Sequence, residues 1–172
     1  MNNCYLDAEA VITFFRMTGR KHIFITGSRG SGKSHLVNNM SKHMSDSFNL
    51  LQSHRTDTPQ VVIKSNLVAD NKEFVIGIPR TSGINPVSKG NNMTIIEDGF
   101  INCAIPAIDT HLDTTPERLF VIDELGYLES SCIPFQKAVE KLLDNSHVLA
   151  VIRKQSTEFL DSIKSRSDAV SY

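Results

Sequence analysis

The sequence contains few cysteines and no long apolar run. Its three cysteines, Cys4, Cys103 and Cys132, are far apart and form no C-x-x-C pair. An odd number at such spacings argues against a disulfide framework or a zinc site and favours a reducing compartment. No segment approaches the roughly 18 apolar residues of a membrane span, and the N-terminus lacks the basic-then-apolar pattern of a signal peptide. We therefore expect a cytoplasmic protein with no membrane partner.

The chain also lacks an excess of either charge. Its 18 basic and 19 acidic residues give a formal net charge of −1. Broad binding to nucleic acid needs a strongly basic face, so a nucleic-acid partner is not expected. A hydrophobic fraction of 40% over 172 residues is enough for one domain with a core and leaves little room for a second. We expect a single domain, residues 1–172, that is a monomer, and no feature identifies a protein partner.

The most informative segment that is present is a glycine-rich loop. It matches the phosphate-binding pattern G-x-x-x-x-G-K-[ST] at every fixed position, and it consists of Gly27, Ser28, Arg29, Gly30, Ser31, Gly32, Lys33 and Ser34. An apolar, β-branched run precedes the loop, and a helical stripe of apolar residues follows it. In such a loop the backbone amides converge on phosphate oxygens. Lys33 reaches the β- and γ-phosphates of a nucleotide, and the Ser34 hydroxyl ligates Mg²⁺.

A second motif supplies carboxylates. The buried strand predicted over residues 119–122 ends in Asp123 and Glu124. An acidic residue at such a strand end holds Mg²⁺ together with the Ser/Thr of the loop, so we expect Ser34 and Asp123 to form a metal site. Glu124 can orient the attacking water or accept its proton. Arg153 follows another core strand, predicted over residues 148–152, and can stabilise charge on the γ-phosphate or remain a solvated surface charge.

The remainder of the chain predicts alternating strands and helices. Asp7 caps a helix within an N-terminal extension, residues 1–20, and Ser156 caps a final helix. Short strands separated by polar turns indicate a β-rich insertion over residues 50–100, which includes a mobile loop at 82–92. Strands without alternation that are joined by helices imply a mostly parallel sheet covered on both faces. The predicted fold class is therefore α/β with three layers.

The two motifs together resemble the thermophile-type nucleoside-triphosphatase family, which includes the human cancer-related nucleoside-triphosphatase. The residues from Val121 to Glu129 are similar to the family's D-E-[IL]-G-x-[ML]-E signature, and the resemblance spans roughly residues 21–168. It implies a RecA-like P-loop NTPase fold and slow, Mg²⁺-dependent hydrolysis of ATP, GTP and other nucleoside triphosphates. Lys33, Ser34, Asp123 and Glu124 would keep the roles given above.

The chain also departs from that pattern. The family carries a glutamate and an arginine in a strand soon after the first helix, and the His54-Arg55-Thr56 region fits this pattern poorly. The family's final strand is not expected before Tyr172. A guanine-specific switch is rejected, because no N-K-x-D motif follows Gly126.

Two other functions remain open at this point. A nucleotide or nucleoside kinase shares the loop and the fold but transfers the phosphoryl group to a small acceptor, typically with several arginines from a lid. A nucleotide-dependent switch with negligible turnover would act through a partner. The preferred base and the physiological substrate are not predictable from the sequence.

Overall fold

The computed structural model describes residues 7–80 and 93–172. In these ranges the strands are β1 (His22–Gly27), β2 (Phe48–Arg55), β3 (Val61–Ser65), β4 (Phe74–Pro79), β5 (Met93–Ile95), β6 (Leu119–Leu125), β7 (His147–Arg153) and β8 (Ala169–Ser171). The helices are α1 (Ala8–Thr18), α2 (Lys33–Met44), α3 (Glu97–Gly99), α4 (Ile105–Thr114), α5 (Ile133–Asn145) and α6 (Glu158–Lys164). A π-helical segment, Phe100–Ala104, joins α3 to α4, and 3-10 turns span Ala69–Asn71 and Glu129–Ser131. The predicted loop at 82–92 lies outside the described residues.

The strands form one sheet with the order β5-β4-β3-β2-β6-β7-β1-β8. The five strands from β2 to β8 in this order are parallel to one another, and β3, β4 and β5 extend the sheet in antiparallel fashion at one edge. The stretch predicted to be β-rich therefore supplies β2 to β5, all within this sheet. The expected α/β architecture with a mostly parallel sheet is confirmed.

The sheet separates two apolar layers, because successive side chains of a strand point to opposite faces. In β6, Leu119 and Val121 pack with α1 and α2, whereas Phe120 and Ile122 pack with α4, α5 and α6. All four of these side chains are at most 7% exposed. The uninterrupted apolar run that predicted a buried strand thus covers both faces of the sheet. The result is the expected three-layer fold.

The helix caps agree with the sequence at one end of the chain and differ at the other. Asp7 accepts a hydrogen bond from the backbone nitrogen of Ala10 at 3.2 Å and caps α1, as predicted. The prediction of Ser156 as the cap of the last helix is wrong. Thr157 has the extended backbone of a cap and accepts from the backbone nitrogen of Leu160 at 3.1 Å. Ser156 instead donates to Asp161.

Three elements were not predicted. Strand β2 has a half-polar sequence, and the helical segment from α3 to α4 contains a glycine and a proline near its start. Strand β8 pairs in parallel with β1, so the expectation that no final strand precedes Tyr172 is wrong. Cys103 and Cys132 are buried free thiols. Within residues 7–80 and 93–172, no helix combines the length and apolar character needed to cross a membrane.

Candidate active site

The predicted site residues meet at the carboxyl ends of the parallel strands. Four neighbouring strands, β2, β6, β7 and β1, each end beside a cleft of about 820 Å³. The cleft is lined by every residue of the glycine-rich loop, by Asp123 and Glu124 of β6 and by Arg153 of β7. Ligands of open α/β sheets bind at this edge of the sheet. The fold therefore brings together residues that are up to 126 positions apart in the sequence.

The glycine-rich loop turns sharply between β1 and α2. Gly30 and Gly32 have φ angles of 75° and 84°, in the left-handed region that side chains disfavour. Helix α2 begins at Lys33, so its free backbone amides and its positive dipole end point into the loop. Lys33 Nζ donates to the backbone oxygen of Ser28 at 2.7 Å and so reaches back across the loop. This arrangement is a ready anion-binding site.

A hydrogen bond connects the loop to the acidic strand end. Ser34 Oγ donates to Asp123 Oδ1 at 3.0 Å. Asp123 is 7% exposed, and this burial raises the pKa of its carboxyl, although hydrogen bonds from Ser34 and Gln52 act in the opposite direction. A hydroxyl and a carboxylate at this distance fit Mg²⁺, which prefers oxygen ligands, keeps several waters and needs only one or two carboxylates. The part of the chain that the structure describes contains no cluster of three or more His, Cys, Asp or Glu side chains able to hold a metal.

Glu124 and Arg153 form an ion pair in the centre of the cleft. The register of β6 against β7 shifts between Asp123 and Leu125, so Glu124 lies at an irregularity of the strand, a feature that re-aims side chains next to active sites. Both Nε and Nη2 of Arg153 contact Glu124 Oε1. Burial disfavours the Arg153 charge, but the hydrogen bond and the charge of Glu124 raise the pKa of the guanidinium. Gly27 is the sheet partner of Arg153, so the strand end that carries Arg153 lies beside the start of the glycine-rich loop.

Glu129 supports the loop that follows β6. It is 5% exposed, and its Oε2 accepts from the backbone nitrogen of Gly126 at 2.9 Å, so it anchors this loop. Its Oε1 accepts from Ser53 Oγ of β2 at 3.3 Å. Burial raises the pKa of Glu129 to about 7, although backbone hydrogen bonds oppose this shift. Glu129 therefore ties the end of β6 to the end of β2.

The wall of the cleft opposite the glycine-rich loop was not predicted as part of a site. We call it the far wall, and it consists of Ser53, His54, Arg55, Val61 and Tyr127. The sequence signal was weak, because β2 was not predicted and the His54-Arg55-Thr56 region fits the family pattern poorly. The pairing of Gln52 with Asp123 carries β2 past the acidic strand end and so brings Arg55 to the cleft.

Sequence comparisons relate the chain to known proteins. The sequence model of the NTPase family matches residues 22–172. Nucleoside-triphosphatase THEP1 of Thermotoga sp. (strain RQ2) is 27% identical over 150 residues, covering 86% of this chain and 83% of the relative. The same-named protein of Thermotoga maritima is 25% identical over 149 residues, with the same coverage.

Two solved structures share the fold. The crystal structure of THEP1 from Aquifex aeolicus superposes with a TM-score of 0.68 at 18% identity and covers 87% of each chain. The solution structure of a human cancer-related nucleoside triphosphatase gives a TM-score of 0.65 at 18% identity and covers 88% of this chain and 87% of its own. The similarity extends over most of each molecule.

Proposed function

Because the chain belongs to the NTPase family and is therefore a nucleoside-triphosphatase, we propose that it hydrolyses the γ-phosphate of ATP, GTP and other nucleoside triphosphates with Mg²⁺. The observation that carries this proposal is the hydrogen bond between Ser34 and Asp123. It places a hydroxyl of the phosphate-binding loop beside a carboxylate, and two ligands of one metal ion must lie close together in this way.

The proposed mechanism assigns one task to each part of the loop and the strand end. The backbone amides of residues 27–34 bind the phosphates, and Lys33 supplies a positive charge at the β- and γ-phosphates. Ser34 and Asp123 hold Mg²⁺, which when bound neutralises charge on the phosphate oxygens. Glu124 orients a water molecule in line with the bond that breaks and accepts its proton.

Arg153 adds a step before the chemistry. In the structure its guanidinium is paired with Glu124, so the carboxylate that should orient water is engaged. The γ-phosphate carries more negative charge than one carboxylate and enters beside Arg153, since Arg153 is paired with Gly27 in the sheet. We propose that the nucleotide draws Arg153 away from Glu124, which frees the carboxylate and places a cation on the γ-phosphate. Turnover is expected to be slow for a chain that acts without an arginine supplied by a partner, since such an arginine contributes about 10³–10⁵ in rate.

The wider setting is part of the same proposal. A net charge of −1 supports a nucleotide rather than a nucleic acid as the ligand. We propose a cytoplasmic monomer with one domain that spans residues 1–172. The α1 helix precedes the residues that the family model matches and packs on α2, so we assign it a stabilising role.

The proposal is tested by phosphate release from ATP, GTP, CTP and UTP, with Mg²⁺ and with excess EDTA. Glu124→Gln should lower kcat by about 10²–10⁴-fold, because general base catalysis contributes that much, while the nucleotide still binds. Arg153→Ala should also lower kcat, because the γ-phosphate loses this cation. The matched control is Glu140→Gln, the same substitution at an exposed position of α5. This variant should hydrolyse nucleotide at the wild-type rate. Release that persists in Glu124→Gln or in EDTA would contradict the mechanism.

A further inference from the structure

The cleft is wider than the phosphate loop and the metal site require. Its far wall lies on β2, the start of β3 and the loop after β6, whereas the glycine-rich loop lies at the end of β1. Strands β2 and β1 are separated by β6 and β7 in the sheet. Three strand spacings of about 4.8 Å place the two walls about 14 Å apart. The far wall is therefore a separate surface of the same cleft.

Arg55 gives this surface a positive charge that no acid of the protein neutralises. Among residues 7–80 and 93–172, no carboxylate oxygen lies within 4.0 Å of its guanidinium. The segments 1–6 and 81–92 contain neither Asp nor Glu. The nearby acid Glu73 pairs instead with His54 at 3.2 Å and with Lys64 at 3.5 Å. Arg55 is thus an exposed cation in the cleft whose guanidinium forms no ion pair within the described residues.

Tyr127 adds a hydroxyl to the same wall of the cleft. Its side chain is half-buried and lines the cleft, and within the described residues its hydroxyl makes no hydrogen bond to protein. Burial raises the pKa of the Tyr127 hydroxyl, and the positive charges of Arg55 and Arg153 act in the opposite direction. Tyr127, Arg55 and Arg153 all line the same cleft. A guanidinium fork and a neutral donor together match the oxygens of a tetrahedral phosphate.

The position of the far wall relates it to the reaction. In phosphoryl transfer the attacking and leaving oxygens lie roughly in line through the γ-phosphorus. The leaving oxygen stays on the glycine-rich loop, at the end of β1. Glu124 lies on β6, between β1 and β2 in the sheet, so in the proposed mechanism the attacking oxygen approaches from the β2 side. The phosphoryl group moves toward that oxygen as it is transferred. The far wall therefore faces the transferred group.

We propose that Arg55 and Tyr127 form a second phosphate-binding subsite on the far wall, which takes a free phosphate anion or the phosphate of a small monoester. This inference rests on the proposed function, because the triphosphate must occupy the glycine-rich loop. Inorganic phosphate at this subsite is the product of hydrolysis on its way out. A monoester at the same subsite is a phosphoryl acceptor, whose oxygen would attack the γ-phosphorus while the bond to the β-phosphate oxygen breaks and the nucleoside diphosphate leaves with the electron pair.

The test measures binding of inorganic phosphate to the whole protein by calorimetry, with the glycine-rich loop saturated by Mg²⁺ and ADP. The wild type should bind phosphate in a saturable way, and Arg55→Ala should bind it at least about tenfold more weakly, as expected for the loss of a charge-assisted pair. Tyr127→Phe, which keeps the ring and its packing, should weaken binding less. Arg20→Ala, an exposed arginine that does not line the cleft, should bind phosphate as the wild type does.

A second arm separates the two sources of phosphate. ATP hydrolysis is followed with AMP, GMP, CMP or UMP added. Formation of the corresponding diphosphate, lost in Arg55→Ala, identifies an acceptor, whereas inhibition by inorganic phosphate without any diphosphate identifies the product. No saturable phosphate binding in the wild type, or equal binding in Arg55→Ala, would overturn the proposal and leave the glycine-rich loop as the site of any phosphate bound. Phosphate binding is measured without turnover, so its failure is distinct from failure of hydrolysis.

Discussion

Glu129 is a carboxylate held inside the protein by two hydrogen bonds, from the Gly126 amide and the Ser53 hydroxyl. Its position explains how the end of β6 is kept in place without Glu129 entering the reaction. Burial raises its folded pKa from 4.5 to about 7, so the folded protein binds this proton more tightly than the unfolded chain does. The contribution of Glu129 to stability is therefore largest below about pH 4.5 and declines as the pH rises to about 7.

Glu129→Gln should remove this pH dependence. Glutamine keeps an oxygen for the Gly126 amide but cannot ionise, so the variant should gain stability relative to the wild type as the pH rises from about 4.5 to about 7. The gain should reach at most about 3 kcal/mol. The measurement is the free energy of unfolding in urea at several pH values for both proteins. A difference that is constant with pH would show that Glu129 does not titrate in this window.

Arg153 and Glu124 show how one residue pair can restrain a site. In the proposed mechanism both side chains act at the nucleotide, whereas in the structure they are paired with each other. Arg55 has no such partner among the described acids. Both arginines lie at strand ends beside the same cleft. We therefore expect Arg153 to bind the γ-phosphate of the nucleotide and Arg55 to bind a phosphate at the far wall.

The last helix, α6, illustrates the element scale. Thr157 accepts from the Leu160 amide and donates to Ser130 Oγ at 3.0 Å, so one hydroxyl caps α6 and connects it to the turn before α5. Phe159, Leu160 and Ile163 of α6 are buried in the core. Loss of the cap should therefore disturb the packing of these apolar side chains as well as the end of the helix.

Thr157→Ala should destabilise the protein by about 1 kcal/mol, the usual effect of losing a cap. Ser156→Ala is the matched control, since Ser156 is exposed and, in the part of the chain that the structure describes, its hydroxyl bonds only to Asp161. This change should alter stability by no more than about 0.5 kcal/mol. Thermal and urea unfolding of both variants provide the comparison. Equal effects of the two changes would mean that the cap contributes little to α6.

At the scale of the whole molecule, the cleft connects five strands and the start of α2. A ligand bound there contacts elements from both ends of the chain, so it stabilises the folded protein as one unit. Binding to the folded state alone stabilises it by about 2.7 kcal/mol when the ligand is present at 100 times its Kd. The proposed metal should increase the affinity, because Ser34 and Asp123 would share it with the phosphates.

The Tm should therefore rise with ATP and Mg²⁺, and much less with ATP in EDTA. A non-hydrolysable triphosphate avoids turnover during heating. Lys33→Ala should abolish most of the rise, because it removes the cation at the phosphates. Its Tm without nucleotide should stay near that of the wild type, since within the described residues Lys33 Nζ bonds only to the Ser28 carbonyl. An equal rise with and without Mg²⁺ would count against the metal site.

Much of this protein could be predicted from local sequence. The glycine-rich loop needs left-handed backbone at Gly30 and Gly32, and only glycine adopts it easily. Buried parallel strands need apolar residues on both faces, which marked β6 and β7 and placed Asp123, Glu124 and Arg153 at their ends. These predictions depend on neighbouring residues and on no distant contact.

Other features were missed because their cause lies far away in the sequence. Strand β2 is half-polar and is stabilised by pairing with β6 and β3. The cap of α6 is Thr157 and not the predicted Ser156. Thr157 also donates to Ser130, which is distant in the sequence. Strand β8 is short and forms through its pairing with β1.

The sequence by itself determined the chemical groups of the candidate site and the strand ends that carry them. Only the folded chain brought Arg153 onto Glu124, Ser53 onto Glu129 and Arg55 to the far wall. The physical reason is the order of strands in the sheet. Sequence patterns show that a strand is buried but not which strand lies beside it, and the pairing of β2 with β6 and of β6 with β7 determines which side chains meet in the cleft.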